Sequence, residues 1–384
     1  MFNTLLDLGL QPLVNNLFYT KQESLDAKKY PMSGIVNSDL LIKLDTAIPS
    51  EELFEKYLYH SAVNKPYIYH CHNMWHSIKH LKHNTIIDVG GNDGTLLKAF
   101  RSQTKDSLVL INVDASSSFR EENVESGIEY INGYFGENLN IPNADIITST
   151  NVFQHTPGVE KFLGGIKKHL ASHGTWILEF PYTLRTFETL QFDQFYHEHY
   201  YYWLVTPLVK FLNEYELQIV NIEEQTIHGG TLRLWICHKE YSDPTDVDIN
   251  YLNLEKNFDF FVTSEKMQKK IIKDKEWLNG IKEKIAFFGA AAKGCVYLNS
   301  LGVNIENFPK SYIVDDTKNK QNMFVPGTGF EVVTRDFLYD EQPENLIVLA
   351  HNFKDYIIKS LRPMYKGKII TLLPSFQIDF GENY

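Results

Sequence analysis

The stretch Thr85-Ile-Ile-Asp-Val-Gly-Gly-Asn-Asp-Gly-Thr-Leu-Leu97 decides the fold of the central part of this 384-residue chain. Its first residues, Thr85 to Gly90, form a short apolar run that predicts a buried strand. A glycine turn, Gly90-Gly-Asn-Asp-Gly94, ends the run, and a helix is predicted from Thr95. A strand, a glycine turn and a helix in direct succession are typical of nucleotide-binding α/β sheets.

Strands and helices continue to alternate after this turn. Further strands are predicted at Leu108–Val113, Ala144–Thr150, Gly174–Phe180, Leu217–Ile222 and Thr231–Cys237, with a helix at Gly158–Leu170. This alternation implies a mostly parallel sheet that helices cover on both faces. The last two strands, which the turn His228-Gly-Gly230 connects, are expected to be antiparallel.

The α/β pattern restarts at residue 284 and predicts a second, smaller α/β domain. Its strands are expected at Lys284–Phe288, Ser311–Asp315, Asn345–Ala350 and Lys368–Leu373. The polar, lysine-containing stretch 241–282 between the two units is predicted to be a linker helix. A solvated helix face explains its lysines better than a basic binding patch does.

Residues 1–66 lack a strong periodicity and are expected to form a small domain of their own. We predict a turn at Tyr30–Gly34, a strand at Asp39–Leu44 and a short helix that Ser50 caps. The chain is too long for one ordinary core. The expected domains are 1–66, 67–240 and 241–384.

The composition excludes several kinds of partner. A net charge of -11 without any basic run argues against a nucleic-acid-binding surface. No apolar stretch approaches the roughly 20 residues that cross a bilayer, and the N-terminus does not resemble a signal peptide. Cys71, Cys237 and Cys295 are too far apart for a disulfide framework or a four-thiolate zinc site. We therefore expect a cytoplasmic protein.

The turn at residues 90–94 has the features of a cofactor site. Glycine lets the backbone approach a ligand, and the following helix offers free N–H groups. Asp114 ends the next strand, where an acid suits a ribose diol, so NAD and S-adenosylmethionine are both candidates. Asp88, which would meet the donor's cationic end, and the antiparallel last strands favour S-adenosylmethionine. The expected contacts are Asp88, Gly90, Gly91, Asn92, Gly94 and Asp114.

The turn Gly289-Ala-Ala-Ala-Lys-Gly294 is a weaker candidate for a similar site. It joins a strand to a helix, and Asp315 and Asp316 follow the next strand, so a nicotinamide cofactor is one interpretation. Alanines stand where close approach of a pyrophosphate would require glycine, and a purely structural turn is an equal alternative. Lys293 at the start of the helix suits a phosphate group.

Two histidine-containing segments need an interpretation. Gln191–Trp203 surrounds His197, Glu198 and His199 with aromatic residues, and rings that exclude water can make a neutral imidazole a base near pH 7. An aromatic loop with solvated charges is the alternative. His72, His76 and His80 recur at helical spacing, which raises the question of a metal site. No carboxylate or second cysteine joins them at ligand spacing, so we predict a solvated helix face and no metal.

Seven blocks of sequence occur in a fixed order along nearly the whole chain. They are Asp88-Val-Gly-Gly-Asn-Asp-Gly-Thr-Leu-Leu97, Asn151-Val-Phe-Gln-His-Thr-Pro157, Phe192-Asp-Gln-Phe-Tyr-His-Glu-His199, His228-Gly-Gly-Thr-Leu-Arg233, Phe288-Gly-Ala-Ala-Ala-Lys-Gly294, Asp315-Asp-Thr-Lys-Asn-Lys-Gln321 and Val325-Pro-Gly-Thr328. Together they resemble the S-adenosylmethionine-dependent sugar C-3-methyltransferases of branched deoxysugar biosynthesis, of which the D-tetronitrose enzyme is one.

The resemblance implies an α/β protein with three domains. These are a small N-terminal zinc-binding domain, a central Rossmann-like class I methyltransferase domain, and a C-terminal Rossmann-like domain that helps to hold the nucleotide sugar. The implied reaction transfers a methyl group from S-adenosylmethionine to C3 of a nucleotide-linked 4-keto-deoxysugar. The partner is therefore expected to be a nucleotide sugar, and the oligomeric state is left open.

The N-terminal domain departs from the family pattern of two Cys-x-x-Cys pairs. The chain starts after the position of the first pair, and Ile35–Leu41, near the second, contains no cysteine. We therefore expect a degenerate domain that lacks structural zinc and is held together by packing. Tyr57 and Tyr59 match the family's Tyr-x-Tyr-x-Ser element and are expected to face the substrate.

Methylation of carbon needs a carbanion, and a ketone at C4 allows the C3 proton to leave as an enolate forms. With support from the resemblance, we assign His199 as the base and Glu198 as its partner or as an acid on the enolate side. His155 and Tyr196 are the expected donors to the C4 oxygen. Further expected contacts are Asn151 with the donor, and His228, Gly229 and Lys293 with the nucleotide sugar.

Three other functions compete with this prediction. A sugar O-methyltransferase on the same scaffold would need only one base to deprotonate a hydroxyl group. A catalytically silent homologue would bind the nucleotide sugar without turnover. A nicotinamide oxidoreductase would use the C-terminal turn. The complete set of acid and base side chains favours carbon methylation.

Overall fold

The computed structural model describes residues 1–53, 65–243 and 245–381. Within these ranges the chain forms three β-sheets of four, seven and six strands. The N-terminal elements are β1 (Phe2–Pro12), α1 (Lys21–Leu25), β2 (Lys29–Asn37), β3 (Ile42–Leu44) and α2 (Ser50–Leu53).

The central part of the chain supplies the largest sheet. Its elements are α3 (Lys65–Ile78), β4 (Thr85–Val89), α4 (Thr95–Arg101), β5 (Val109–Asp114), α5 (Arg120–Glu125), β6 (Glu129–Asn132), β7 (Ala144–Thr150), α6 (Val159–His169), β8 (Leu170–Pro181), α7 (Thr183–Glu188), β9 (Tyr201–Tyr202), α8 (Val205–Glu214), β10 (Leu217–Gln225) and β11 (Thr231–His238). The strand order is β10-β11-β8-β7-β4-β5-β6. Five strands are parallel, and β11 and β10 are antiparallel to their neighbours, as predicted.

The C-terminal part forms a second, smaller α/β unit, as predicted. Its elements are α9 (Ile249–Asn257), α10 (Phe260–Gly280), β12 (Ile285–Phe288), α11 (Ala292–Leu301), β13 (Ile313–Val314), β14 (Val332–Val333), α12 (Arg335–Glu341), β15 (Asn345–Val348), α13 (Lys354–Leu361), β16 (Lys368–Thr371) and β17 (Gln377–Asp379). The strand order is β14-β13-β12-β15-β16-β17, and only β17 is antiparallel to its neighbour.

The α/β architecture predicted from the sequence is therefore confirmed: a mostly parallel central sheet, a small N-terminal sheet and a C-terminal α/β unit. The predicted domain boundaries at residues 66 and 240 stay predictions. Tyr201 and Tyr202 lie beyond the first boundary in sequence, yet as strand β9 they pair with β3 of the N-terminal sheet.

The N-terminal segment was the least well predicted part of the chain. Phe2–Pro12 is an eleven-residue strand, but two register shifts in its pairing with β2 interrupt the alternation of buried and exposed residues. Such bulges hide the period of two by which a strand is recognised. The turn predicted at Tyr30–Gly34 is wrong, because these residues belong to β2. The strand predicted from Asp39 begins only at Ile42.

Residues 241–282 are mostly helical, as predicted, but their helices pack against other parts of the chain. Helix α10 buries Met267 and Leu278 completely, and Ser264 donates a hydrogen bond to the carbonyl oxygen of Leu5 in β1. In α9, Glu255 is fully buried and accepts hydrogen bonds from the hydroxyl group of Tyr182 and the backbone of α8. These helices therefore pack against the N-terminal sheet and the central unit. The lysines at 266, 269, 273 and 275 are exposed, as predicted. Lys270, predicted to share that solvated face, is half-buried and pairs with the buried Asp274 at 2.8 Å.

Packing also attaches the N-terminal sheet to the C-terminal unit. The backbones of Phe18 and Phe324 exchange two hydrogen bonds, of 3.0 and 2.7 Å. The hydroxyl group of Ser24 donates to the carbonyl oxygen of Val325 at 2.6 Å. Among the residues that the structure describes, no helix has the length and apolar character that crossing a membrane requires.

Candidate active site

The predicted donor turn lies between β4 and α4, at the carboxyl end of the parallel strands. The amide of Gly90 donates to the carbonyl oxygen of Val113 at 2.8 Å, and the amide of Gly91 donates to Oδ1 of Asn112 at 3.1 Å. The amide of Asn92 donates to Oδ2 of Asp114 at 2.9 Å. The end of β5 therefore holds the turn against the sheet.

Glycine is required in this turn for steric as well as conformational reasons. Gly90 and Gly94 have φ angles of +68° and +75°, in the left-handed region that suits glycine. A Cβ atom on Gly91 would lie 2.6 Å from Oδ1 of Asn112 and 2.6 Å from Oδ2 of Asp88. Glycine therefore lets this backbone lie directly against the side chains of Asn112 and Asp88. A glycine turn that follows a parallel strand and opens a helix fits the donor that the sequence predicts.

The two acids of the donor turn differ in their surroundings. Asp114 is half-buried; burial raises its pKa, while hydrogen bonds from the amides of Ser116 and Asn92 act in the opposite direction. Asp88 is 1% exposed and accepts a hydrogen bond of 2.7 Å from Thr148. Burial raises the pKa of Asp88 to about 7. Asp88 thus lies beneath the turn, whereas Asp114 lies at its edge.

Asn151 follows β7, next to the donor turn along the sheet edge. It adopts a φ angle of +55°, and its amide donates to the carbonyl oxygen of Glu179 at 3.0 Å. The strand end thereby turns sharply towards Phe153–His155, a short 3₁₀ helix. This turn carries His155 from the sheet to the segment that contains Glu198 and His199.

The structure brings together the side chains of His155, Tyr196 and His199 and the backbone of Glu198, four residues that the sequence assigns to proton transfer. The ring centroids of His155 and His199 are 4.9 Å apart. The phenol oxygen of Tyr196 lies 2.6 Å from Nε2 of His199, and Nδ1 of His155 lies 2.5 Å from the carbonyl oxygen of Glu198. The residues come from two loops that are distant in sequence, so their proximity is a property of the fold.

The hydrogen-bond partners indicate the tautomers of both imidazoles. Nδ1 of His155 faces the carbonyl oxygen of Glu198, and Nδ1 of His199 faces that of Gln194 at 3.2 Å. A carbonyl oxygen only accepts, so each Nδ1 carries a hydrogen. In the neutral imidazole, Nε2 is then the proton-accepting atom. Burial lowers the pKa of His155 to about 4, which keeps this imidazole neutral at pH 7.

Glu198 is the buried carboxylate of the cluster, with 5% of its surface exposed. Asn15 of the N-terminal segment donates to both of its oxygens, at 2.9 and 2.7 Å. Burial raises the pKa of Glu198 to about 7, while Asn15 and the positive charge of Lys320 act in the opposite direction. Glu198 can therefore change its protonation state near neutral pH. His197, in contrast, faces β2, where Nε2 lies 3.2 Å from the carbonyl oxygen of Pro31.

The C-terminal turn at residues 289–294 repeats the geometry of the donor turn. The amide of Gly289 donates to the carbonyl oxygen of Val314 at 2.8 Å, and the amide of Ala290 donates to Oδ2 of Asp315 at 2.8 Å. Asp315 also accepts a hydrogen bond from the amide of Thr317 at 2.9 Å. Asp114 accepts the equivalent pair of bonds in the central unit.

Lys293 lies in the first turn of α11, as the sequence predicts. Burial lowers its pKa to about 8, and the charge of Asp193 acts in the opposite direction. Asp193 itself is buried and lies 2.9 Å from Nε2 of His351. The block that carries Glu198 and His199 is therefore tied to the C-terminal unit through Asp193.

Two further substrate contacts were predicted around residues 57–59 and 228–229. Tyr57 and Tyr59 lie outside the residues that the structure describes. His228 and Gly229 belong to the 3₁₀ helix Ile227–Gly229 between β10 and β11. The carbonyl oxygen of Gly229 accepts a hydrogen bond of 3.2 Å from Gln191, which brings this turn to the start of the aromatic segment.

The histidines of α3 do not share one environment. His72 and His76 lie on the helix, whereas His80 follows its end at Ile78. His70 is buried and contacts Glu179, which also pairs with Arg233 at 2.6 Å. Within the described ranges, no three His, Cys, Asp or Glu side chains are grouped as metal ligands would be. The three cysteines are unpaired thiols.

Sequence reasoning missed Asn15, Lys320 and the pairs Asp193–His351 and Glu179–Arg233. Asp193 and Arg233 were visible as members of the recognised blocks, but no pattern indicated their partners. Asn15 is followed by Asn16, and asparagines are common in turns, so the sequence contains no reason to single it out. Its contact with Glu198 joins residues 183 positions apart, a relationship that local periodicity does not contain.

Comparison with known proteins adds a family assignment to this geometry. The family model of a methyltransferase domain matches residues 70–222, and that of a C-methyltransferase C-terminal domain matches residues 226–374. The C-methyltransferase NovU of Streptomyces niveus is 21% identical over 401 residues, which cover 98% of this chain and 94% of NovU.

Solved structures resemble parts of this chain with low overall similarity. The mitomycin 7-O-methyltransferase MmcR is 16% identical, with a TM-score of 0.39, over 49% of this chain and 57% of MmcR. The YcgJ protein of Bacillus subtilis is 15% identical, with a TM-score of 0.33, over 44% of this chain and 95% of YcgJ.

The two family models match adjacent regions that together make up most of the chain. The first contains the turn predicted to bind the donor and the residues assigned to proton transfer, and the second contains the C-terminal turn with Lys293. The chain therefore belongs to the S-adenosylmethionine-dependent C-methyltransferases.

Proposed function

We propose that this C-methyltransferase methylates C3 of a nucleotide-linked 4-keto-deoxysugar through an enolate, in branched-sugar biosynthesis. The observation that carries the proposal is the contact between Tyr196 and His199, 2.6 Å apart. A proton acceptor and a hydroxyl donor stand side by side there, and an enolisable ketone presents an acidic C–H bond next to a carbonyl oxygen. S-adenosylmethionine supplies the electrophilic methyl group.

His199 is the proposed base. Its tautomer presents Nε2 as the proton-accepting atom, and the phenol O–H of Tyr196 points to that atom. When a C3–H bond of the substrate occupies this position, Nε2 takes the proton and the Tyr196 hydroxyl group is released to donate to the C4 oxygen. Donors placed where an oxyanion develops are a large source of rate enhancement.

His155 has a narrower role in this scheme than the sequence suggests. Donation from Nε2 to the C4 oxygen requires a protonated imidazole, whereas the pKa of about 4 keeps His155 neutral at pH 7. We therefore propose Tyr196 as the principal donor to the C4 oxygen. His155 packs edge-on against His199 and holds the backbone of Glu198, so it positions both residues.

Glu198 is the proposed ionised partner of His199. Proton uptake creates an imidazolium ion in a buried site, and a carboxylate on the adjacent residue offsets that charge. The pKa of about 7 means that a substantial fraction of Glu198 is ionised near neutral pH. C3 of the enolate then takes the methyl group as the S–CH₃ bond of the donor breaks, S-adenosylhomocysteine is released, and the proton leaves His199 to solvent.

The C-terminal turn is proposed to hold the nucleotide. Lys293 lies at the start of α11, where a cationic side chain and helix N–H groups suit a phosphate. Asp315 lies at the end of β13, at the position that Asp114 takes beside the donor turn, and an acid there suits a ribose diol. Asp193 links Lys293 to the segment that contains His199.

Hydrogen exchange distinguishes an enolate from direct O-methylation. The enzyme is incubated with S-adenosylhomocysteine and a 4-keto sugar nucleotide in deuterated water, and deuterium at C3 is measured by NMR. The proposal requires exchange at C3 that depends on the enzyme and decreases in His199→Gln. Methyl transfer to a hydroxyl oxygen without C3 exchange would establish the O-methyltransferase instead, and binding without either reaction would establish a silent homologue.

A further inference from the structure

The proposed catalytic carboxylate depends on a contact with another part of the chain. Nδ2 of Asn15 lies 2.9 Å from Oε1 and 2.7 Å from Oε2 of Glu198. Asn15 belongs to the turn that follows β1 in the N-terminal segment, whereas Glu198 lies in the central segment. One amide group thus spans both oxygens of a carboxylate that is 5% exposed.

The turn around Asn15 is firmly held on both sides. Leu13, Val14 and Leu17 are buried, with 6%, 4% and 4% of their surfaces exposed. The next residue, Phe18, exchanges two backbone hydrogen bonds with Phe324 of the C-terminal unit. The position of the Asn15 amide is therefore determined by the packing of two units of the protein.

The amide of asparagine suits an ionised carboxylate in a particular way. A buried carboxylate loses its hydration, and N–H donors replace part of it. Because the amide is uncharged, it stabilises the negative charge without neutralising it. The cationic side chain of Lys320 acts in the same direction from the C-terminal unit, where its Nζ is bound to the carbonyl oxygen of Ala290 at 2.8 Å.

Other titratable groups surround Glu198 on each neighbouring element. The thiol of Cys295 in α11 interacts electrostatically with Glu198, and His155 contacts the backbone of Glu198. Tyr196 and His199 belong to the same segment as Glu198. Burial raises the pKa of the Cys295 thiol to about 12, so this group stays neutral near pH 7. Asn15 donates hydrogen bonds to both carboxylate oxygens of Glu198.

We propose that Asn15 is a positioning residue for Glu198 that keeps this carboxylate in the ionised form used during C-methylation. The inference rests on the role proposed above for Glu198. It assigns the N-terminal segment a part in catalysis that does not depend on a bound metal.

The test measures the titration of Glu198 directly. Protein labelled with ¹³C at the glutamate carboxyl carbon is titrated by NMR, and the Glu198 signal is assigned by its loss in Glu198→Gln. We expect Asn15→Ala to raise the titration midpoint of Glu198 by about one pH unit, the effect of losing a hydrogen bond to a charged group. Asn15→Asp, which places a second carboxylate against the first, should raise it further.

Asn16→Ala is the matched control, since it removes the neighbouring amide in the same turn. We expect it to leave the Glu198 midpoint unchanged. S-adenosylhomocysteine binding, measured by calorimetry, reports whether each variant is folded at the central unit. If Asn15→Ala is unfolded, Asn15→Asp provides the same comparison with almost unchanged side-chain volume. An unchanged Glu198 midpoint in a folded Asn15 variant overturns the inference.

The pH dependence of methyl transfer to a 4-keto sugar nucleotide then separates this inference from the proposed function. Because loss of Asn15 favours the protonated carboxyl group, the acid limb of the kcat profile should move to higher pH in Asn15→Ala. At pH 7 the rate should fall about fivefold, because the ionised fraction of Glu198 falls from about one half to about one tenth, and it should recover at higher pH. A shifted Glu198 midpoint with an unshifted kcat profile supports the contact but rejects the catalytic role of ionised Glu198.

Discussion

The phenol oxygen of Tyr196 lies 2.6 Å from Nε2 of His199, and the centroids of the two rings are 3.9 Å apart. On the opposite side of the imidazole, Nδ1 faces the carbonyl oxygen of Gln194. The tyrosine therefore donates a hydrogen bond to the histidine. The hydrogen lies on the phenol oxygen, and Nε2 of the imidazole accepts it.

The Tyr196–His199 contact predicts that each residue is needed for enolisation. Tyr196→Phe removes the donor to the C4 oxygen, and His199→Gln removes the base, so each should lower the rate of C3 deuterium exchange by roughly 10²–10³-fold. Tyr200→Phe is the control, because its hydroxyl group accepts a hydrogen bond of 3.5 Å from Lys43 of the N-terminal sheet. Wild-type exchange in Tyr196→Phe would remove the tyrosine from the mechanism.

The geometry of the donor turn predicts a selective effect of Asp114. Asp114→Ala removes a carboxylate that holds the amides of Asn92 and Ser116, so S-adenosylmethionine affinity should fall about tenfold or more in calorimetry. Asp315→Ala removes the same hydrogen-bonding arrangement from the C-terminal turn and should leave this affinity unchanged. An equal loss of S-adenosylmethionine affinity in both variants would show that the two turns do not bind separate ligands.

The close approach at Gly91 predicts a steric effect on the same site. In Gly91→Ala the new Cβ would lie 2.6 Å from side-chain oxygens of Asn112 and Asp88, so the turn must shift. We expect weaker S-adenosylmethionine binding and a lower thermal midpoint. Gly133→Ala, where no atom lies within 4 Å of the added Cβ, should behave as wild type. Normal donor binding by Gly91→Ala would contradict the fit of the donor to this turn.

The buried ion pair of Glu179 and Arg233 predicts a large cost when it is broken. Both side chains are almost completely buried, so Arg233→Leu leaves a carboxylate without its charged partner and should cost about 3–5 kcal/mol. Arg185→Leu is the control, because Arg185 pairs with Glu188 and Glu224 at the surface, where the cost is about 1 kcal/mol or less. Denaturation midpoints of the two variants measure the difference.

The same pair contributes to the dependence of stability on pH. Burial by itself would raise the pKa of Glu179, but the hydrogen bond from His70 and the charge of Arg233 hold it below its ordinary value. A carboxyl group with a lowered pKa in the folded state stabilises the protein above the pKa of the unfolded chain. This stabilisation is lost as the pH falls through the folded-state pKa. Thermal midpoints measured in acid should therefore decrease less in Glu179→Gln than in the wild type.

Elements with a clear local sequence pattern were predicted, and elements whose pattern is interrupted or one-sided were not. Apolar runs such as Ile86–Val89 and Leu110–Val113 predicted strands of the central sheet, and their alternation with helices indicated a parallel sheet. The short strand β6, Glu129-Tyr-Ile-Asn132, is polar at both ends and was not predicted. Phe2–Pro12 escaped prediction because its bulges interrupt the alternation, although it is among the longest strands. Helix α10 was taken for a linker because its lysine-rich face dominated the composition, while its buried face includes Met267 and Leu278.

Some features of the candidate site were likewise predictable from local sequence, and others were not. Local order along the chain was enough to identify the glycine turn, the acid at the end of β5 and the residues from Tyr196 to His199, since each is a short block with its own chemistry. The tautomers of His155 and His199, the burial of Glu198 and its contact with Asn15 arise from packing between distant segments. Protonation and hydrogen bonding depend on which groups lie within about 3 Å in space, and the folded chain alone brings those groups together.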